Sequence, residues 1–408
     1  LEEAKSYIRF LYAQVQEMKS ERVDLKTLLE EVRLDLKGAR KQIEKKILCY
    51  STFYCPRGFI CDYDNDEIII AMIKALKKYV KDHHGLYLRI DPDIILNKLN
   101  EGGEVIENNP RSLAIIELFK AQGAKHKGFT IRFNEASLPR FTFRVSLEGN
   151  DEDILGRMHP KTRKVFKNGN TYDVEVYKGD MQSVIAFHET MKETARRKKL
   201  LLEPLEFFTN YYGILNKHDM SDIYCAKVNI KTLKTKYTHL IDNIKTEISE
   251  LEANPSKKNK GRLNDLNCRL IKLEKELNEV NKINEEEIIL SSVITAKFND
   301  KVWLIHGGNK DILQFVGANY WLYYTIMCDA KKDGSKVVDF FGTEGKINPD
   351  SDLYGIYLFK YRFGGDFDEF IGEFDFITRP LQNKIIQSLL ILRRKIKLKK
   401  AIKDYLSK

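Results

Sequence analysis

The sequence has no Cys-x-x-Cys pair, only 9 prolines and 2 tryptophans, and no run of 18 apolar residues. Its 6 cysteines stand singly, which excludes a zinc ribbon or a disulfide-stapled scaffold and fits a reducing compartment. Without a long apolar run, no transmembrane helix is expected, and no secretory leader is read. Gly-x-x-x-x-Gly-Lys-Ser/Thr, Gly-x-Gly-x-x-Gly after a strand and Gly-x-Ser-x-Gly are all missing. Walker, Rossmann and serine-hydrolase chemistry therefore lack support. His188-Glu189 is followed by Lys192 where a zinc protease helix needs its second histidine, so it reads as a helix face. The Gln/Arg-x-x-Gly-x-Gly/Ala loop that holds the pyrophosphate of acyl-coenzyme A is absent as well. No metal and no cofactor are expected.

What is present is a 408-residue chain, 43% hydrophobic and 31% charged, long enough for two or three domains with packed cores. Its net charge of +10 favours an anionic partner, whether nucleic acid, a phosphate-bearing substrate or an anionic membrane surface. Much of that excess lies in 381–408, a basic amphipathic segment read either as a surface for membrane or RNA or as a solvated tail.

The periodicity divides the chain. Leu11, Val15, Met18, Leu25, Leu29, Val32, Leu36, Ala39 and Ile43 share a heptad seam broken only at Arg22, which predicts a long helix over 1–46. A first α/β domain is expected over 47–158. Strands are predicted at 47–54, 86–90, 129–133 and 141–145, a turn at Pro56-Arg57-Gly58, and helices at 66–83 and 184–199. A second domain is expected over 159–380. It contains a strand pair around Asn299-Asp300, a helix at 319–332 and a strand at 336–341.

That second domain is interrupted at 233–287. Tyr237, Ile241, Ile244, Ile248 and Leu251 form one heptad seam; Leu263, Leu266, Leu270, Leu273, Leu277 and Val280 form another. Asn254-Pro255-Ser256 separates them, which predicts an antiparallel coiled-coil hairpin. Its tip gathers Lys257, Lys258, Lys260 and Arg262, read either as a solvated turn or as a phosphate-contacting fingertip. The fold class is thus α/β (α+β) with helical arms.

Tyr54-Cys55-Pro56-Arg57-Gly58, Leu88-Arg89-Ile90-Asp91-Pro92 and His159-Pro160-Lys161-Thr162-Arg163 resemble segments of the Fem family of peptidoglycan aminoacyltransferases. So do Asp339-Phe340, Gly342, the block from Gly355 through Tyr357, Phe359-Lys360 and Phe363-Gly364-Gly365, and Ile371-Gly372-Glu373. The resemblance covers about 50–380 and is most specific at Phe-Lys-x-x-Phe-Gly-Gly. It implies two GNAT-like acyltransferase domains with an inserted coiled-coil hairpin, working without acetyl-coenzyme A. It also implies transfer of an amino acid from aminoacyl-tRNA to an amine of a peptidoglycan precursor, lipid-linked or UDP-linked, at the cytoplasmic face of the membrane.

By the same resemblance Lys360 is the catalytic cation; read from its residues alone it would be an edge-strand lysine. Asp91 and Tyr320 match substrate-contacting positions, with an Asp-Pro turn and a core aromatic as their plain alternatives. Phe359 and Arg163 join the expected binding set, Arg163 being read either as a phosphate contact or as solvent-facing. Lys257, Lys258, Lys260 and Arg262 would meet tRNA. Two departures stand out: 1–46 replaces the family's opening strand–helix–strand unit, and Glu203-x-x-x-Phe207 stands where a basic residue usually precedes a tyrosine. The alternative they support is a catalytically degenerate member that binds RNA or protein through its coiled coils. Oligomeric state is left open.

Overall fold

The computed structural model describes residues 50–388, apart from 134, 168–171, 199, 254–258, 346–347 and 352. The helix expected over 1–46, most of the basic tail, and Lys257 and Lys258 lie outside the described residues; a helix does run over 380–388. Two compact units emerge. The first takes Leu1–Phe143, Gly342–Tyr357 and Asp366–Lys408; the second takes Arg144–Phe341 and Leu358–Gly365. The junction expected at 158/159 falls inside the second unit, and two later segments return to the first.

In the first unit β1 (Ser51–Arg57) pairs parallel with β2 (Gly85–Pro92), and β2 antiparallel with β13 (Phe374–Ile377). Beyond β13 lies β5 (Ala124–His126). The expected turn at Pro56-Arg57 is the end of β1, with Pro56 opposite Asp91 and Arg57 opposite Pro92. β1 is an edge strand, where a proline removes no ladder bond that the sheet needs. Helix α1 (Asp66–Asp82) starts where Asn65 accepts from the Glu67 and Ile68 N–H groups, and buries Ile69, Ile73, Leu76 and Val80. It shares a core with α2 (Pro110–Ala121), whose Phe119 meets Phe374 and Phe376 edge-on. The antiparallel run β4 (Val105–Asn108), β3 (Ile95–Leu99), β12 (Asp366–Phe370) completes this unit.

The strand predicted at 129–133 is a loop. Phe129, Ile131 and Phe133 alternate as a strand would, yet all three are exposed, and Gly128 at φ 92° turns the chain out of the sheet.

In the second unit the sheet runs β6 (Phe141–Ser146, from Arg144 on), β11 (Val337–Asp339), β10 (Lys301–Asn309), β9 (Glu287–Phe298), β8 (Ile223–Asn229) and β7 (Glu175–Gly179). All neighbours are antiparallel except β10 and β11. The predicted hairpin at Asn299-Asp300 joins β9 to β10, with Asn299 at φ 55°. Helices α3 (Asp151–Arg157) and α4 (Pro160–Lys167) follow β6. Between β7 and β8 lie α5 (Ser183–Lys198) and α6 (Leu205–Asn216), closing a core of Phe187, Phe208, Tyr212, Ile223 and Ile294. Helix α9 (Ala318–Lys332) packs on β8 and β9.

Helices α7 (Ile230–Ala253) and α8 (Asn259–Asn281) form the hairpin that the heptads predict, inserted between β8 and β9. Tyr237, Ile241, Ile244 and Ile248 are buried against Leu266, Leu273 and Val280. Antiparallel order shows in the polar pairs: Tyr237 Oη donates to Glu276 Oε2 at 2.9 Å near the base, while Arg262 reaches Glu247 near the tip.

Candidate functional site

Lys360 lies in the last turn of α10 (Tyr354–Tyr361), not on a strand. The alternation of Tyr357, Phe359 and Tyr361 imitates a strand, but Tyr357 is buried against Phe143 and Phe367 while Lys360 is turned inward, only 8% exposed. Its ammonium donates to the Phe341 carbonyl. That carbonyl is aimed by local chemistry. Asp339 ends β11 opposite Arg144 and accepts from Arg144 Nε at 3.0 Å and from the Phe341 N–H at 2.8 Å. The aspartate turn holds Phe341 at φ 52°, a left-handed conformation that a phenylalanine keeps only when its surroundings impose it. Burial pulls Lys360 down to about 7, with the Asp339 carboxylate acting in the opposite direction.

An aromatic cluster is built around Phe359, the residue before the lysine. The Tyr320 ring, from α9, lies 5.2 Å from Phe359 and stacks on Phe363 at 5.9 Å; Tyr323 meets Phe359 edge-on at 4.8 Å. Two of the expected binding residues, Tyr320 and Phe359, are thus brought together. The Gly-Gly that follows has a mechanical reason. Gly364 sits at φ 74°, and a Cβ there would lie 2.2 Å from the Arg157 carbonyl oxygen; one on Gly365 would lie 2.8 Å from that of Arg144. Arg163 is half-buried on α4, which packs on α9 through Phe166 against Trp321 and Tyr324. Among the described residues no bond joins the Arg163 side chain to the Lys360 group.

Asp91 belongs to the first unit, buried near the end of β2. Its Oδ1 accepts from the Arg57 N–H at 2.8 Å, and Arg57 Nη1 lies 3.8 Å from Oδ2. Burial lifts its carboxyl to about 7, opposed by the Arg57 charge and N–H. Desolvation by burial, then the Asp91 charge, push the Tyr54 phenol far above its usual range. Nearby, Arg89 grips Asp375 through Nε at 2.8 Å and Nη2 at 3.0 Å. Sequence reasoning assigned no role to Arg57, Tyr54, Arg144, Asp339 or Phe341; Arg57, Tyr54 and Asp339 stood inside quoted motifs, and only their partners across the sheets reveal what they do.

At the hairpin, Lys260 and Arg262 are exposed, and Arg262 Nη2 already holds Glu247 Oε1 at 2.6 Å. Glu203 and Phe207 are exposed at the start of α6.

A model of the FemAB family matches residues 14–390. The chain belongs to the FemAB family. The match begins inside the heptad stretch, so most of that stretch falls within the family's span. Lipid II:glycine glycyltransferase of Staphylococcus aureus is 27% identical over 387 residues, covering 90% of this chain and 88% of the relative. The sequence from strain USA300 gives the same identity and coverage. Among solved structures, the crystal structure of FemX superposes with a TM-score of 0.63 at 26% identity, covering 84% of this chain and 85% of FemX. Family membership and these relatives make the chain an aminoacyltransferase with the mixed α/β fold of the Fem proteins.

Proposed function

We propose that this FemAB protein transfers an amino acid from aminoacyl-tRNA to the amine of a peptidoglycan precursor's stem peptide, extending the interpeptide bridge. The observation that carries the reading is the buried Lys360, held by the Phe341 carbonyl in the motif whose Phe359 meets Tyr320. An aminoacyl ester is already activated, so the protein's task is to position the amine and stabilise charge. The amine nitrogen attacks the ester carbonyl, and a tetrahedral oxyanion forms. The Lys360 ammonium stabilises that oxyanion in a site shielded from water. The C–N bond stays and the bond to the tRNA's terminal ribose breaks; the ribose oxygen takes a proton from Lys360, and the proton that the attacking amine gives up restores the ammonium. A lysine near 7 is suited to both roles, since it holds its proton for the oxyanion and releases it readily to the ribose.

Asp91, in the first unit, is assigned a contact with the precursor, its buried carboxyl accepting a hydrogen bond from the stem peptide and carrying charge only above about 7. Lys257, Lys258, Lys260 and Arg262 would lie along tRNA phosphates; the exposed Arg262–Glu247 pair is worth about 0–1 kcal/mol and yields readily to a phosphate. The basic segment 381–408 would rest on the inner face of the membrane. Mass spectrometry tests the reading. The purified chain is mixed with a pool of charged tRNA and either a lipid-linked or a nucleotide-linked muropeptide. A gain of one amino-acid mass that disappears after ribonuclease treatment supports the proposal. No gain on either acceptor, with an active family member alongside, favours the degenerate binding protein.

A further inference from the structure

The loop over 127–138 spends buried charge on holding exposed apolar groups. Phe129 is 52% exposed, Ile131 47% and Phe133 38%, three large apolar side chains within five residues. Such a group on a surface marks a contact site. The loop is nonetheless firmly held. Lys127 N donates to the Glu373 carbonyl at 2.9 Å, and Gly345 N to the Ile131 carbonyl at 2.9 Å. Glu135 Oε2 accepts from the Ile131 and Arg132 N–H groups at 2.9 and 3.1 Å. Ser137 N donates to the buried Glu373 carboxylate, and Arg89 Nη1 reaches Ser137 Oγ at 3.4 Å. Beneath the loop the buried Arg140 guanidinium lies 4.8 Å from the centre of the Phe129 ring. None of these buried charges has a part in the transfer chemistry above.

Lys125, Lys127 and Arg132 are exposed around the three apolar groups, with Glu135 as the one exposed acid between 125 and 138. We infer that this loop is a docking tip for an anionic bilayer surface, with Phe129, Ile131 and Phe133 entering the headgroup boundary and the cations meeting lipid phosphates. The pattern is that of interfacial anchors, apolar side chains flanked by cations. A single-stranded RNA end fits less well: stacking platforms need free ring faces, Ile131 has none, and Phe129 already carries a guanidinium on one. The inference deepens the reading of a lipid-borne precursor and rests on it for its purpose.

The test is sedimentation of the full chain with precursor-free vesicles of phosphatidylcholine with or without phosphatidylglycerol. Anionic vesicles should bind the protein, and Ile131→Ser should weaken binding several-fold; Phe129→Ser with Ile131→Ser should weaken it by tenfold or more. Lys125→Gln should cost about fivefold on anionic vesicles and little on neutral ones. Transfer to a soluble nucleotide-linked precursor by Ile131→Ser should stay at the parent level, so failure of docking and failure of the transferase reading register separately. Fluorescence added by Ile131→Trp should be quenched by lipids brominated on their acyl chains. Unquenched fluorescence with parent-level binding by the double variant would overturn the inference and assign binding elsewhere. No binding of the parent, binding to RNA instead, or a dimer abolished by Ile131→Ser would each overturn it too.

Discussion

Lys360 in the second unit and Asp91 in the first reach about the same pKa from opposite ends. Burial pulls the lysine down and lifts the aspartate, each to about 7. Both have an opposing partner, Asp339 for the lysine and Arg57 for the aspartate, and in both desolvation is the larger effect. At Arg89 burial is answered by tight pairing: with two bonds to Asp375 it is driven above its usual range, the charged form being favoured. The difference shows what the two candidate groups share. In each the effect of burial outweighs that of the opposing charge, which puts both near neutral pH, where a transfer step needs groups that change charge.

The largest expected effect comes from breaking the lysine side. Lys360→Ala should lower the transfer rate constant by at least about 10²–10³-fold, the scale for losing one oxyanion partner, with the far-UV circular dichroism unchanged. Asp339→Ala should destabilise the fold by about 1–3 kcal/mol in a denaturant titration, because it removes a charged hydrogen-bond partner of the largely buried Arg144. Asp339→Asn sharpens the comparison. It removes the charge that supports the Lys360 cation, so the falling limb of the pH–rate profile, expected near 7 as Lys360 loses its proton, should move to lower pH. A limb that stays in place would show that another group titrates there.

The aspartate side gives a stability signature of its own. Folded Asp91 keeps its proton up to about 7, whereas the ordinary value is 3.8, so between these limits the folded state binds more protons than the unfolded. Stability must then fall as pH rises through that window. Asp91→Asn lacks this slope, so it should gain on the parent from about pH 4 to 7 and hold the gain above, while its KM for the precursor rises. A constant difference across the window would contradict the shift. The smallest effect belongs to the hairpin tip: Lys260→Gln should cut tRNA affinity modestly and reduce the salt slope by about 0.7–0.9.

The hairpin was legible in the sequence because heptad spacing survives any tertiary context, and α1 because its apolar face and its Asn65 cap agree. Lys360 became a candidate in the sequence only through its motif, and the structure adds its burial. Its flanking aromatics alternate as in a strand, and nothing local reveals that they wrap a helix end. The same alternation misled at 129–133, where buried Arg140 and Glu373, with the partly buried Arg89, hold the chain in a loop that no period-two pattern encodes. The support of the Lys360 site was illegible for a different reason. Arg144 and Asp339 stand 195 positions apart and meet only through strand register.

The most direct measurement is the single-turnover rate of transfer from charged tRNA to a muropeptide precursor, for the parent and Lys360→Ala side by side at pH 6.5. The account predicts amino-acid transfer by the parent and a fall of at least about 10²-fold in a variant that melts like it. Equal rates in the two proteins would contradict it and remove Lys360 from the chemistry.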